Sequence, residues 1–112
     1  MAEQKISDQK VYLMITITVE DVRAFNVFWT RESLPHWLKF GVRHIGSFVN
    51  WIGGPKFQDN ELIRIFEFDN LAHYGQWEDW LHGPEGQELM KKIKDYSIKS
   101  QRRLLHAAPT DQ

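Results

Sequence analysis

Glu61-Leu62-Ile63-Arg64-Ile65-Phe66-Glu67-Phe68 is the stretch on which the fold turns. A run this rich in β-branched and aromatic side chains reads as a strand. Successive side chains of a strand point to opposite faces, so Leu62, Phe66 and Phe68 share one face while Ile63 and Ile65 share the other. Both faces of the sheet therefore need cover. Arg64 and Glu67 interrupt the apolar run, and their difference in parity prevents them from pairing within the strand. Buried charge is costly unless paired. Arg64, on the face of Phe66 and Phe68, is thus a candidate anchor for a carboxylate or an enolate. The structural alternatives are an ion pair across a subunit boundary or an arginine that snorkels to water.

Working outward, residues 45–52 (IGSFVNWI) read as the preceding strand, joined to the first by a loop through Gly53-Gly54-Pro55. Here Ile45, Val49 and Trp51 lie opposite Phe48 and Ile52. On the other side, Asp69-Asn70 can cap a helix whose Leu71, Tyr74, Trp77 and Leu81 fall on one face. Gly83-Pro84 ends it and starts another, striped by Leu89, Ile93 and Tyr96. Residues 11–19 (VYLMITITV) form a further strand, apolar at every odd position. Glu20-Asp21 then opens a helix carrying Val22, Phe25 and Phe28 or Trp29. Pro35 predicts a bend near Ser33, with a second helical stretch to Phe40 and a stop at Gly41. Residues 102–107 supply a short closing strand. The order β-α-β-β-α-α-β is a ferredoxin-like α+β arrangement with its second helix broken in two.

The expected organisation is a flexible segment over residues 1–10, a single α+β domain over 11–107 and a tail over 108–112. Helices cover only one face of such a sheet. Leaving Phe66, Phe68 and their neighbours in water would forgo about 1.5–3 kcal/mol per side chain, so a homodimer with sheets face to face is expected. A C-terminal tail folded over that face is the alternative. With 14 basic and 15 acidic residues, net charge −1, no field recruits nucleic acid or an anionic membrane. The chain lacks cysteine, which excludes disulfides, thiolate nucleophiles and Cys-based metal sites. No apolar run approaches the roughly 18 residues that span a bilayer, and residues 1–10 lack a signal-peptide core, so the cytoplasm is the expected compartment.

The runs Gly46-Ser-Phe-Val-Asn-Trp-Ile-Gly-Gly-Pro55 and Asn60-Glu-Leu-Ile-Arg-Ile-Phe-Glu-Phe-Asp-Asn-Leu-Ala-His73 resemble NIPSNAP-like proteins of the dimeric α+β barrel superfamily. The likeness extends more loosely to Leu34-Pro35 and to residues 100–105. It implies a dimer with a cleft in each subunit between sheet and helices. It also implies relatives that include cofactor-free monooxygenases, polyketide cyclases and heme-handling enzymes. Fold constrains reaction poorly in such a set. No cofactor is expected, with heme as the one option left open.

The histidines His36, His44, His73, His82 and His106 form no local metal-binding spacing. His82 ranks first for chemistry, ending the helix that carries Trp77 and Trp80. In the related cyclases an aromatic residue and a histidine at comparable places act on substrate. Those enzymes use tyrosine, and Trp77 has no hydroxyl. The competing role for His82 is interaction with the helix dipole and terminal carbonyls. His73 reads as structural or solvated, and His36 as facing either the cleft or the surface. Tyr12 could supply a donor, with Trp51, Trp77, Trp80 and Phe66 as walls.

Two functions follow. One is a small cofactor-independent enzyme, a monooxygenase, cyclase or isomerase acting on an apolar or aromatic molecule, with His82, Tyr12 and Arg64 as its catalytic groups. The other is a non-enzymatic homodimer that binds a small ligand or another protein.

Overall fold

The computed structural model describes residues 9–50 and 60–108. Four antiparallel strands stand in the order β2-β3-β1-β4. These are β1 (Val11–Val19), β2 (Arg43–Val49), β3 (Glu61–Phe68) and β4 (Ser97–His106). Helices α1 (Val22–Phe28), α2 (Leu34–Lys39), α3 (Leu71–Leu81) and α4 (Pro84–Tyr96) complete the order β-α-α-β-β-α-α-β. The fold is the α+β, ferredoxin-like one, with its second helical crossover in two pieces, α3 and α4.

Register decides which face is covered. Val11, Leu13, Ile15 and Ile17 of β1 stand opposite Phe68, Phe66, Arg64 and Leu62 of β3. Directly opposed residues share a face, and this is the face beneath the helices. Phe66 and Phe68 are fully buried there at 0% exposure. They consequently do not belong to the face that needs a second cover. The open face carries Ile63 and Ile65, opposite Thr16 and Met14, together with Phe48 and Leu105, which are exposed.

Three boundaries differ from expectation. β2 covers Arg43–Val49 rather than 45–52, and residues 51–59, including Trp51, lie outside the described ones. β4 runs from Ser97 to His106 instead of 102–107. Its first half is polar because it is an edge strand with little to bury, so no hydrophobic pattern marks it. The helix is irregular near Ser33, as expected, but in another form than a proline break: Trp29–Ser33 form one π-helical turn, closed by the Leu34 N–H on the Trp29 carbonyl, which joins α1 to α2. Pro35 then falls in the first turn of α2, where a missing N–H costs nothing.

The caps follow the sequence. Asp21 accepts from Ala24 N–H at 3.0 Å, and Asn70 accepts from His73 N–H at 2.9 Å. Gly41 ends the second helical stretch at φ 72°, a conformation that penalises a Cβ. Under the helices, Trp37 lies flat on Phe66 with centroids 3.8 Å apart, and Trp77 stacks on its other side at 3.9 Å.

Candidate functional site

A cavity of about 90 Å³ lies between the helix-facing side of the sheet and the four helices. The π turn shapes it. Phe25, Trp29, Ser33 and Trp37 all line the wall, spaced by four residues. In a regular α-helix each such step drifts by about 40°. The extra residue of the π turn offsets that drift and keeps the four on one side. Trp37 Nε1–H donates to Ser33 Oγ at 3.2 Å, which fixes the indole.

β3 delivers Arg64 into this cavity. The residue is 3% exposed. Its Nη1 donates to Ser47 Oγ at 2.6 Å and its Nη2 to Asn26 Oδ1 at 2.5 Å. The guanidinium carbon stands 3.7 Å from the Trp29 ring centroid. Among the described residues no carboxylate pairs with it, and its Nε–H has no acceptor. Burial pushes its pKa down to about 10, so it remains charged at neutral pH.

His44 extends this network although nothing in its sequence context marks it. His44 and Ser47 would face opposite sides of a regular strand. A bulge at Ile45 breaks the register, pairing His44 with Phe66 and Ser47 with Arg64. Both thereby reach the helix-covered side. His44 Nε2 accepts from Ser47 Oγ at 2.7 Å, while that oxygen accepts a hydrogen bond from Arg64 Nη1. Burial, and then the Arg64 charge, lowers the His44 pKa and keeps the ring neutral. A bulge leaves no periodic trace, so the pair could not be read from spacing.

The remaining candidates are dispersed. Trp77 lines the cavity at 1% exposure, and its Nε1–H is also without an acceptor. Trp80 stacks behind it at 5.0 Å and lies outside the wall, as does the buried Phe66. His82 is on the surface, its side chain 73% exposed, with Nδ1 2.8 Å from the Glu78 carbonyl. That is the helix-end role, and it places no histidine in the cavity. Tyr12 sits on the open face and hydrogen-bonds Glu67. His36 packs on Trp80 at 4.7 Å and opens to an outer cleft with Glu32, Glu85 and Glu88. His73 is structural: Asp69 N–H donates to Nδ1 at 3.0 Å, and Nε2–H donates to the Phe40 carbonyl at 2.6 Å.

At the β4 side of the cavity, Arg102 lines the wall and lies 3.1 Å from Glu78 Oε1. Glu78 also accepts from the Tyr74 hydroxyl, whose pKa burial and that bond push up to about 12. Among the described residues no three His, Asp or Glu side chains converge as a metal-binding group. No described helix is long and apolar enough to cross a membrane.

The chain shares its fold with NIPSNAP-like proteins and with a cofactor-independent oxygenase of known structure. It is similar to a NIPSNAP-like domain protein from Burkholderia xenovorans, at 19% identity over 94% of this chain and 90% of that one, TM-score 0.73. A NIPSNAP family protein of unknown function from Agrobacterium tumefaciens matches 93% of each chain at 18% identity, TM-score 0.70. A variant of SnoaB, a cofactor-independent oxygenase from Streptomyces nogalater, matches 91% of this chain and 96% of its own at 14% identity, TM-score 0.65. No protein-family model matches the chain, and no curated protein matches its sequence.

Proposed function

We propose that the protein is a cofactor-independent enzyme that holds a small substrate in this cavity by an anionic oxygen set against Arg64. That oxygen is either a carboxylate the substrate brings or the enolate of a substrate acidic enough to ionise in water before it binds. The observation that carries the reading is the guanidinium itself, buried among aromatic rings, with neutral acceptors for Nη1 and Nη2 and, among the described residues, none for Nε. Desolvating such an ion costs several kcal/mol, and an anion placed beside it recovers that cost through a charge-assisted hydrogen bond. A fixed positive charge in a low-dielectric pocket also stabilises negative charge as it develops, without reorganisation. An enolate held this way can be reprotonated elsewhere, close a ring or react with oxygen. The likeness to a cofactor-independent oxygenase agrees with this chemistry.

One observation favours the non-enzymatic reading. Among the described residues the cavity wall contains no Asp, Glu, His or Tyr that could act as a general base. Small enolisable ketones, keto acids and phenols incubated with the protein under air, followed by mass spectrometry and oxygen uptake, separate the two. Turnover that Arg64→Gln lowers by about 100-fold or more supports the enzyme. Binding without turnover across the panel leaves a ligand-binding protein.

We also propose that two protomers pair through the open sheet face. Phe48, Ile63, Ile65, Met14 and Leu105 give that face an apolar centre, and Phe48 and Leu105 are 52% and 41% exposed in the single protomer. A twofold partner buries it without touching the helix-side cavity.

A further inference from the structure

We propose that small molecules reach the cavity between α4 and β4, and that Arg102, tied across that gap to Glu78, is the latch on this entrance. The inference rests on the cavity being the ligand site and adds how it is reached and which residue controls entry. Most of the wall is sealed, with Trp29, Trp37, Arg64, Trp77 and Leu89 all buried. The lining residues that are not buried are Ile15, Met90 and Ile93, which are half-buried, and Ser100 and Arg102, which are exposed. They come from neighbouring elements. Ile15 stands opposite Arg102, and Ile17 opposite Ser100, so both β4 side chains lie on the helix-facing side of the sheet. Met90 and Ile93 come from α4. β4 is the last strand of the sheet and is exposed from Ile98 to His106.

Arg102 crosses this entrance. Its Nη1 donates to Glu78 Oε1 on α3 at 3.1 Å. The Tyr74 hydroxyl donates to the same oxygen, and the Tyr74 ring is braced edge-on against Phe68 at 5.2 Å. His82 Nδ1 stands 3.6 Å from Oε2. Glu78, half-buried, is therefore a fixed post, and the exposed arginine is the moving arm. An ion pair in contact with solvent is weak and is screened by salt, which suits a closure that must open repeatedly. What passes is set by the gap left when Arg102 swings out.

A second exposed ion pair supplies the contrast. Lys92 Nζ lies 2.9 Å from Glu32 Oε1. Both line the outer cleft, which shares Leu89 with the cavity wall. Leu89 is buried, so this pair stands over a closed wall and latches nothing.

Acrylamide quenching of tryptophan fluorescence in the full chain tests this. The quencher is small and neutral, and Trp29, Trp37 and Trp77 all line the cavity. Arg102→Gln should raise the quenching rate of the shielded emission about two- to five-fold, the span an exposed ion pair allows. Glu78→Gln should do the same, and the double variant no more than either alone, because each removes the same pair. Lys92→Gln should leave the rate unchanged. Salt at about 1 M, where the Debye length is about 3 Å, should bring the unaltered protein towards the rate of Arg102→Gln. No rise with Arg102→Gln or with salt, or an equal rise with Lys92→Gln, would overturn the proposal. Effects of Arg102→Gln and Glu78→Gln that add in full would overturn the pair as the latch. The salt measurement uses the unaltered protein, so the test stands even where a variant fails to fold. Failure here is separate from failure of the enzyme. Quenching requires no turnover, and a substrate panel without turnover leaves the entrance in place.

Discussion

Arg64 stacks on Trp29 and, among the described residues, bonds to the neutral oxygens of Ser47 and Asn26. Its pKa, pushed down to about 10 by burial, means the unfolded chain holds this proton more tightly than the folded one. The penalty is therefore fully present below the folded value and is relieved as pH rises from there towards the higher value of an unfolded arginine. At neutral pH the charge works against folding. Arg64→Met should raise unfolding free energy by about 1–4 kcal/mol, as apolar replacements of buried ions commonly do, while abolishing anion binding. A urea melt showing the variant less stable would contradict this account. His44 carries a second pH signature. Its folded pKa lies below the unfolded 6.5, so the unfolded state binds more protons as pH falls through that value. Stability from this group is intact above 6.5 and declines below it. Between about pH 7.5 and 5.5, His44→Gln should flatten part of the decline in denaturant midpoint. An unchanged slope would show that other groups govern it.

Among the elements, the α3–α4 junction is the least tolerant. A Cβ on Gly86 would lie 2.4 Å from Leu81 Cα and from the Leu81 and Trp80 carbonyl oxygens. These are backbone atoms that cannot step aside. Gly86→Ala should cost about 1–3 kcal/mol, read as a lower thermal midpoint, whereas Gly75→Ala, with open space around it, should not. The same junction shows why much of the architecture is legible. Gly83-Pro84 punctuates the helices, Asp21 and Asn70 cap them, and the odd positions of β1 declare one face. β4 is harder to see, because an edge strand with exposed Lys99, Gln101 and Arg103 needs no apolar alternation. The site divides in the same way. Arg64 announces itself as a charge inside an apolar strand. His44 and Ser47 depend on a bulge, and the alignment of Phe25, Trp29, Ser33 and Trp37 depends on a π turn. Neither device has a residue signature. His82 drew attention by standing beside two tryptophans, yet chain neighbours at a helix end diverge in space.

For the whole molecule, the open sheet face is where assembly should be decided. A protomer of 13.3 kDa should sediment at twice that mass. Ile65→Lys combined with Phe48→Lys, placing charges at the centre of the face, should shift it to the single mass with the fold intact by circular dichroism. An unaltered protein sedimenting as a monomer at high concentration would rule this face out as an interface. The packing under the helices has an optical consequence as well. Trp37, Trp77 and Trp80 form a ladder of near-parallel indoles, with centroid steps of 3.9 and 5.0 Å and interplanar angles of 27° and 29°. Chromophores held this closely share their excited states. The far-ultraviolet spectrum should therefore carry an exciton couplet over the ordinary α+β signal. It belongs to the ladder's geometry alone, so it fades when the rings part, even while strands and helices persist.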